Sequence, residues 1–185
     1  DYVSREIVVD ILEDASWQIG EMDSLDLEGR TVVPGFVDLH VHGIDGRDVL
    51  ADVGAIPQIA AGLARRGVTA FCPTTIACEP ATLHSVLDAV AQARREHRPE
   101  TARVLPAHLE SNFINADYRG VQPLSAICDL KAQPGEKDKL QRIAGEIREK
   151  ILALGESIAI ITMAPEVDEN LDAFLADPQK FVPAN

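Results

Sequence analysis

The chain has 185 residues, enough for one domain with a real core or for one domain plus a fragment. A formal net charge of -13 sets it against a nucleic-acid backbone, which needs a basic face, while 46% hydrophobic and 25% charged residues are ordinary for a globular protein. Its 3 cysteines, Cys72, Cys78 and Cys128, lack C-x-x-C spacing, so they give no disulfide framework and no thiolate zinc site and read as a reducing, cytoplasmic compartment.

The opening "DYVSREIVVDILED" is acidic and mixed rather than laid out as a signal peptide. No apolar run approaches ~18 residues, so no membrane span is expected. Residues 1–33 hold short β-like runs, "EIVVDIL", "SWQIGEM" and "LEGRTVVPG". From Pro34 the texture changes. A strand is expected at 36–42, then a Gly/Asp loop. "VGAIPQIAAGLARRG" reads as a helix ending at Gly67. "VTAFCPTT" (68–75) is a second strand. The amphipathic run 79–97 is a second helix, with a proline near its start. "ARVLPAHLE" (102–110) is a third strand, followed by the polar stretch "SNFINADYRGVQP". A third helix is expected at 137–155, again ending in glycine. A fourth strand follows at 157–166 and a fourth helix at 168–177.

Strand and helix thus alternate four times, and the strands are nearly continuous apolar runs. Such strands are buried on both faces in a parallel sheet covered by helices, an α/β fold. No G-x-G-x-x-G, P-loop or G-x-S-x-G pattern is present. Polar residues gather instead at the C-terminal strand ends: His40 and His42, Thr74 and Thr75, His108 and Glu110, Glu166. In barrels and open α/β sheets that rim is where sites are built. A closed (β/α)8 TIM-type barrel takes ~250 residues. Four β/α units therefore look like the first half of such a barrel, residues 34–185, preceded by a short β segment, residues 1–33. Half a barrel leaves two strand edges bare. The expectation is a truncated chain, or one that forms a homo-oligomer or associates through those edges, rather than a well-behaved monomer.

The stretch "PGFVDLHVHG" (34–43) carries the strongest chemical signal. Side chains alternate along a strand, so Asp38, His40 and His42 share one face. Two imidazoles about 6–7 Å apart along the strand can reach one cation. Alone the H-x-H pattern is weak, since two histidines can simply fall near a strand end. Asp38 is better suited to hold the strand end or orient an imidazole than to bind metal. Glu110 follows an apolar strand, where a carboxylate needs a cation, a metal or several donors; the bland alternative is a solvated loop residue. His108 shares the face of Glu110 and suits a supporting hydrogen-bond role at least as well as a ligand role. His84 and His97 read as solvated, and Cys72 as core.

Taken in order, "PGFVDLHVHG", "GVTAFCPTT", "HLESNFIN…RGVQP" and "ITMAPE" resemble the N-terminal half of N-acetylglucosamine-6-phosphate deacetylases, members of the amidohydrolase superfamily. The resemblance runs from about Leu27 to Glu166. It implies a metal-dependent barrel beside a small β-sandwich, to which residues 1–33 would contribute. It implies that Glu110 binds a divalent metal, most simply zinc, with iron or another divalent ion as the alternatives, and that His40 and His42 bind a second metal in some members. Val121 and Gln122 would contact the sugar phosphate. The family's two further histidine ligands and its catalytic aspartate lie on later strands; this chain has 5 histidines, none beyond His108, so no catalytic base is expected within it. Two departures stand out: Ser111-Asn112 where Gly-Pro is usual, and Gln122 where histidine is frequent.

The activity implied is hydrolysis of the N-acetyl group of N-acetylglucosamine 6-phosphate, giving acetate and glucosamine 6-phosphate, with the isolated chain inactive. The rivals are another amidohydrolase, such as a cyclic amide hydrolase or a D-amino-acid deacylase, and a non-catalytic half-barrel fragment. The first lacks the "F-x-N…RG-x-x-P" stretch. The expected partner is a small amino sugar phosphate, with neither nucleic acid nor membrane.

Overall fold

The computed structural model describes residues 29–96, 98–110, 112–128 and 134–167. The expectations for residues 1–28, for His97 and for the fourth helix at 168–177 lie outside these residues. Among them the four strand positions run β1 (Phe36–Val41), β4 (Val68–Thr75), a split third position, β5 (Arg103–Val104) and β6 (Ala107–Glu110), and finally β7 (Ile158–Thr162). Every pairing among them is parallel, and the neighbours follow chain order. An α/β chain of parallel strands alternating with helices is thus what the sequence encodes. Chain-order pairing is the order of a barrel rather than of a doubly wound sheet, whose order reverses. A small antiparallel hairpin, β2 (Gly43–Ile44) with β3 (Arg47–Asp48), follows β1.

Three helices cover the sheet. These are α1 (Ile56–Ala64), α2 (Pro80–Arg95) and α3 (Lys137–Ala153). Prolines lie in the first turns of α1 and α2, where a missing N–H costs nothing. Each helix buries one stripe: Ile56, Ile59 and Leu63; Leu83, Val86, Leu87 and Val90; Leu140, Ile143, Ile147 and Ile151. All of these except Leu140 meet Phe71, Val104 and Leu109 from the sheet in one continuous core. Gly67 takes φ +82, a left-handed turn that lets α1 reverse straight into β4. Gly155 behaves differently from the glycine stop expected there. It stays out of the left-handed region and opens a short 3-10 turn, because the backbone has already left the helix at Leu154, with φ -120 and ψ 22.

The third strand is broken at Leu105–Pro106. Paired residues lie 33 apart at Ala70 and Arg103 but 34 apart at Thr74 and His108, so one extra residue is inserted there. The bulge sits where Pro106 has no N–H to give. Burial on both faces holds for the centre of the sheet, where Phe71–Thr75 are all buried. It fails for β1, where Phe36 is 67%, Val37 59% and Leu39 51% exposed. The reason is position: β1 has β4 on one side and no strand on the other among the described residues. No helix among these residues is long and apolar enough to cross a membrane.

All three cysteines are buried thiols. Burial is the main cause that pushes Cys78 and Cys128 up to about 11, with Glu79 adding to it in both and Arg148 opposing it in Cys128. The folded state therefore holds these protons longer than the unfolded chain, whose thiols ionise near 9.0. Stability is expected to be flat below pH 9 and to fall as pH rises toward 11. Urea midpoints measured from pH 7 to 11 check this, and the double variant Cys78→Ala/Cys128→Ala should flatten the alkaline fall. In a second expectation, Gly67→Ala puts a Cβ on a left-handed residue and should cost ~1–2 kcal/mol in the same assay.

Candidate metal centre

Parallel strands in chain order bring all their C-terminal ends to one rim. His40 on β1, His42 one residue past it and Glu110 at the end of β6 meet there. One ligand atom from each lies within 4.8 Å of the other two. His40 Nε2 is 3.0 Å from His42 Nε2, and His42 Nε2 is 3.4 Å from Glu110 Oε2. A tetrahedral ion with bonds of about 2.0–2.2 Å needs donors roughly 3.3–3.6 Å apart. Two of the three edges are thus near the right length without an ion. Two imidazoles and one carboxylate, with a position left open, can hold a divalent metal. His42 Nδ1 lies 3.1 Å from the Thr74 carbonyl. A carbonyl only accepts, so Nδ1 carries the hydrogen and Nε2 presents its lone pair to the cluster.

The backbone beneath the two histidines is irregular. The β1–β4 register shifts between Asp38 and Val41, beside Pro73, which has no N–H for a ladder. Side chains take over. Asp38 Oδ1 accepts from the His40 N–H at 3.1 Å. Thr74 Oγ1 accepts from the Val41 N–H at 2.9 Å and donates to the Cys72 carbonyl at 3.1 Å. His108 is buried; its Nδ1 is 2.9 Å from the Leu39 carbonyl and its Nε2 2.7 Å from Thr162 Oγ1. Beyond His42 the chain leaves at Gly43, where a Cβ would lie 1.8 Å from the Arg47 carbonyl oxygen. Glycine is required there by the close return of the hairpin, not by a left-handed turn.

The loop after β6 forms the adjoining rim. Asn112 is buried and donates to the Cys78 and Ala126 carbonyls at 2.7 and 2.8 Å. Gln122 is buried, and its Oε1 accepts from the Ala77 N–H at 2.6 Å. Val121 beside it is 91% exposed. Asn115 donates to Glu166 at 3.1 Å, linking the rim loop to the chain after β7. His84 lies apart on α2, 3.3 Å from Asp88. The cluster itself was visible in the sequence. Thr74 was visible only as a polar strand end, and Thr162 gave no signal at all, because a threonine in an apolar strand is ordinary.

No family model matches the chain. It is similar to the N-acetylglucosamine-6-phosphate deacetylase of Caenorhabditis elegans, at 36% identity over 78% of this chain and 34% of the relative. It is similar to that of Danio rerio at 30% identity, over 80% of this chain and 35% of the relative. Its fold matches the crystal structure of the N-acetylglucosamine-6-phosphate deacetylase from Thermotoga maritima with a TM-score of 0.58 and 25% identity, over 80% of this chain and 35% of that one. The chain spans about a third of the length of these relatives.

One expectation concerns the hairpin. Gly43→Ala should push Arg47 away and disturb His42, whose carbonyl accepts from the Val49 N–H across the same turn. Crystallography or NMR of the variant should find the His42 ring displaced from His40, with the α1–α2 core unchanged.

Proposed function

We propose, from its likeness in sequence and fold to N-acetylglucosamine-6-phosphate deacetylases, that this chain supplies the metal-binding rim of a metal-dependent deacetylase. Its reaction is hydrolysis of the N-acetyl group of N-acetylglucosamine 6-phosphate to glucosamine 6-phosphate and acetate. The observation that carries the reading is the convergence of His40, His42 and Glu110 at the C-terminal ends of β1 and β6. The ion is zinc in this reading, which the nitrogen-rich donor set suits. When bound, it supplies Lewis-acid polarisation of the amide carbonyl and a water acidified toward neutrality.

The chain's own residues do the holding. His42 presents Nε2 because Thr74 occupies Nδ1. Glu110 contributes the negative charge that partly neutralises a dication. Val121 and Gln122 contact the sugar phosphate. With its Oε1 committed to Ala77 and its backbone N–H to the Arg119 carbonyl, Gln122 has its amide nitrogen left for that contact. The proton-transferring carboxylate is assigned outside these 185 residues, so they bind metal without turning over substrate. The exposed Val32, Val33, Phe36, Val37 and Leu39 offer an apolar edge on which a further strand would pack.

The test is a zinc titration of the 185-residue chain by competition with a chromophoric chelator. Glu110→Gln keeps the size and removes the charge. It should weaken zinc binding by ~10–100-fold, a scale taken from losses seen when support around a metal is removed. Equal affinity in parent and variant would make Glu110 an ordinary rim carboxylate and end this reading. Deacetylation of N-acetylglucosamine 6-phosphate by these residues alone would overturn the assignment of the base.

A further inference from the structure

We propose that His108 is a positioning residue for the two histidines of β1, held in its working orientation by Thr162; this rests on the reading of His40, His42 and Glu110 as a metal centre. The argument starts from the fault in the ladder. Leu39 and His40 fall inside the irregular stretch between Asp38 and Val41, so regular pairing with β4 does not fix their peptide planes. Their strand is also the exposed one. A pair of ligands placed there would drift with the backbone unless something else held it.

His108 reaches that backbone from β6, across the whole of β4. Its Nδ1–H donates to the Leu39 carbonyl, the carbonyl of the peptide that leads into His40. With Nδ1 committed to a carbonyl, the neutral ring has its acceptor at Nε2, where the Thr162 hydroxyl donates. Its ring also meets His40 edge-on, with centroids 4.9 Å apart and planes at 84°. One buried imidazole thus ties β1, β6 and β7 together and walls the His40 ring on one side. Both nitrogens are used, so His108 is not a third imidazole ligand. Thr162 is placed for its role by register. His108 pairs with Ile160, and Thr162, two residues further along β7, lies on the same face.

The test uses the 185-residue chain. His108→Leu removes donor and acceptor while keeping bulk. His108→Asn keeps an N–H at the place of Nδ1. Thr162→Val removes the hydroxyl at nearly constant shape. Two readouts are taken: zinc affinity by chelator competition, and hydrogen exchange of the 36–42 segment without metal. His108→Leu should lower zinc affinity by ~10–100-fold and speed exchange of the segment. His108→Asn should recover most of both, and Thr162→Val should fall between Asn and the parent. Equal losses for Leu and Asn would mean that the N–H at the place of Nδ1 does not hold the segment and overturn the proposal. So would parent-like affinity or parent-like exchange for His108→Leu in a chain whose zinc binding is still weakened by Glu110→Gln. A parent that takes up no zinc would overturn the metal reading and the positioning role with it.

Discussion

Pro73 is a proline in the middle of a central strand, and much of the rim is arranged around that fact. A proline cannot donate to a ladder. The parallel register of β1 against β4 shifts beside it, between Asp38 and Val41. Backbone polar groups left without a regular partner need another one. Here the partners are side chains: Asp38 for the His40 N–H, Thr74 for the Val41 N–H, His108 for the Leu39 carbonyl. The two histidines therefore sit on backbone set by side chains from three strands. A regular ladder would have fixed the pleat and left these polar side chains without such work.

A second fault in the sheet acts in the same direction. The extra residue at Leu105–Pro106 changes the offset between the second and third strand positions by one. Side chains alternate with period two, so one inserted residue exchanges the faces of everything after it. His108 and Glu110 lie after the insertion. Their common face, turned toward β1, follows from the bulge as much as from their own spacing. Both faults fall at prolines within apolar strands. A strand can carry those residues only by breaking; one break spans His40 and the other lies just before His108 and Glu110.

Much of this was legible in the sequence. The order of strands and helices followed from apolar runs and glycine or proline punctuation, and β4, α2 and α3 came out near their expected bounds. The shared side of His40 and His42 followed from alternation alone. What was hidden depends on contacts far apart in sequence. The exposure of Val37 and Leu39 could not be read, because an apolar run looks the same in an edge strand as in a central one. Nor could the split of 102–110, since a single proline does not announce a bulge. Gly155 misled because helix termination by glycine is frequent but optional, and Leu154 had already ended α3.

Asn112 and Gln122 show how a departure from a family pattern can be read once its surroundings are known. Each stands where the resemblance leads one to look for something else. Each is buried, and each spends its amide on backbone groups of the segment after β4: Asn112 on the Cys78 carbonyl, Gln122 on the Ala77 N–H. Asn112 also reaches the Ala126 carbonyl, so the loop 112–128 is closed on itself as well as pinned to its neighbour. A Gly-Pro pair in this place would have no side-chain amide to do so. The two changes therefore belong together. Both amides make hydrogen bonds that cross between loops, on the same rim as the His40–His42–Glu110 cluster. An amide buried with its partners satisfied is costly to remove from either side. The rim loop and the segment after β4 are thus coupled, and the exposed Val121 is carried on a support that reaches down to the core.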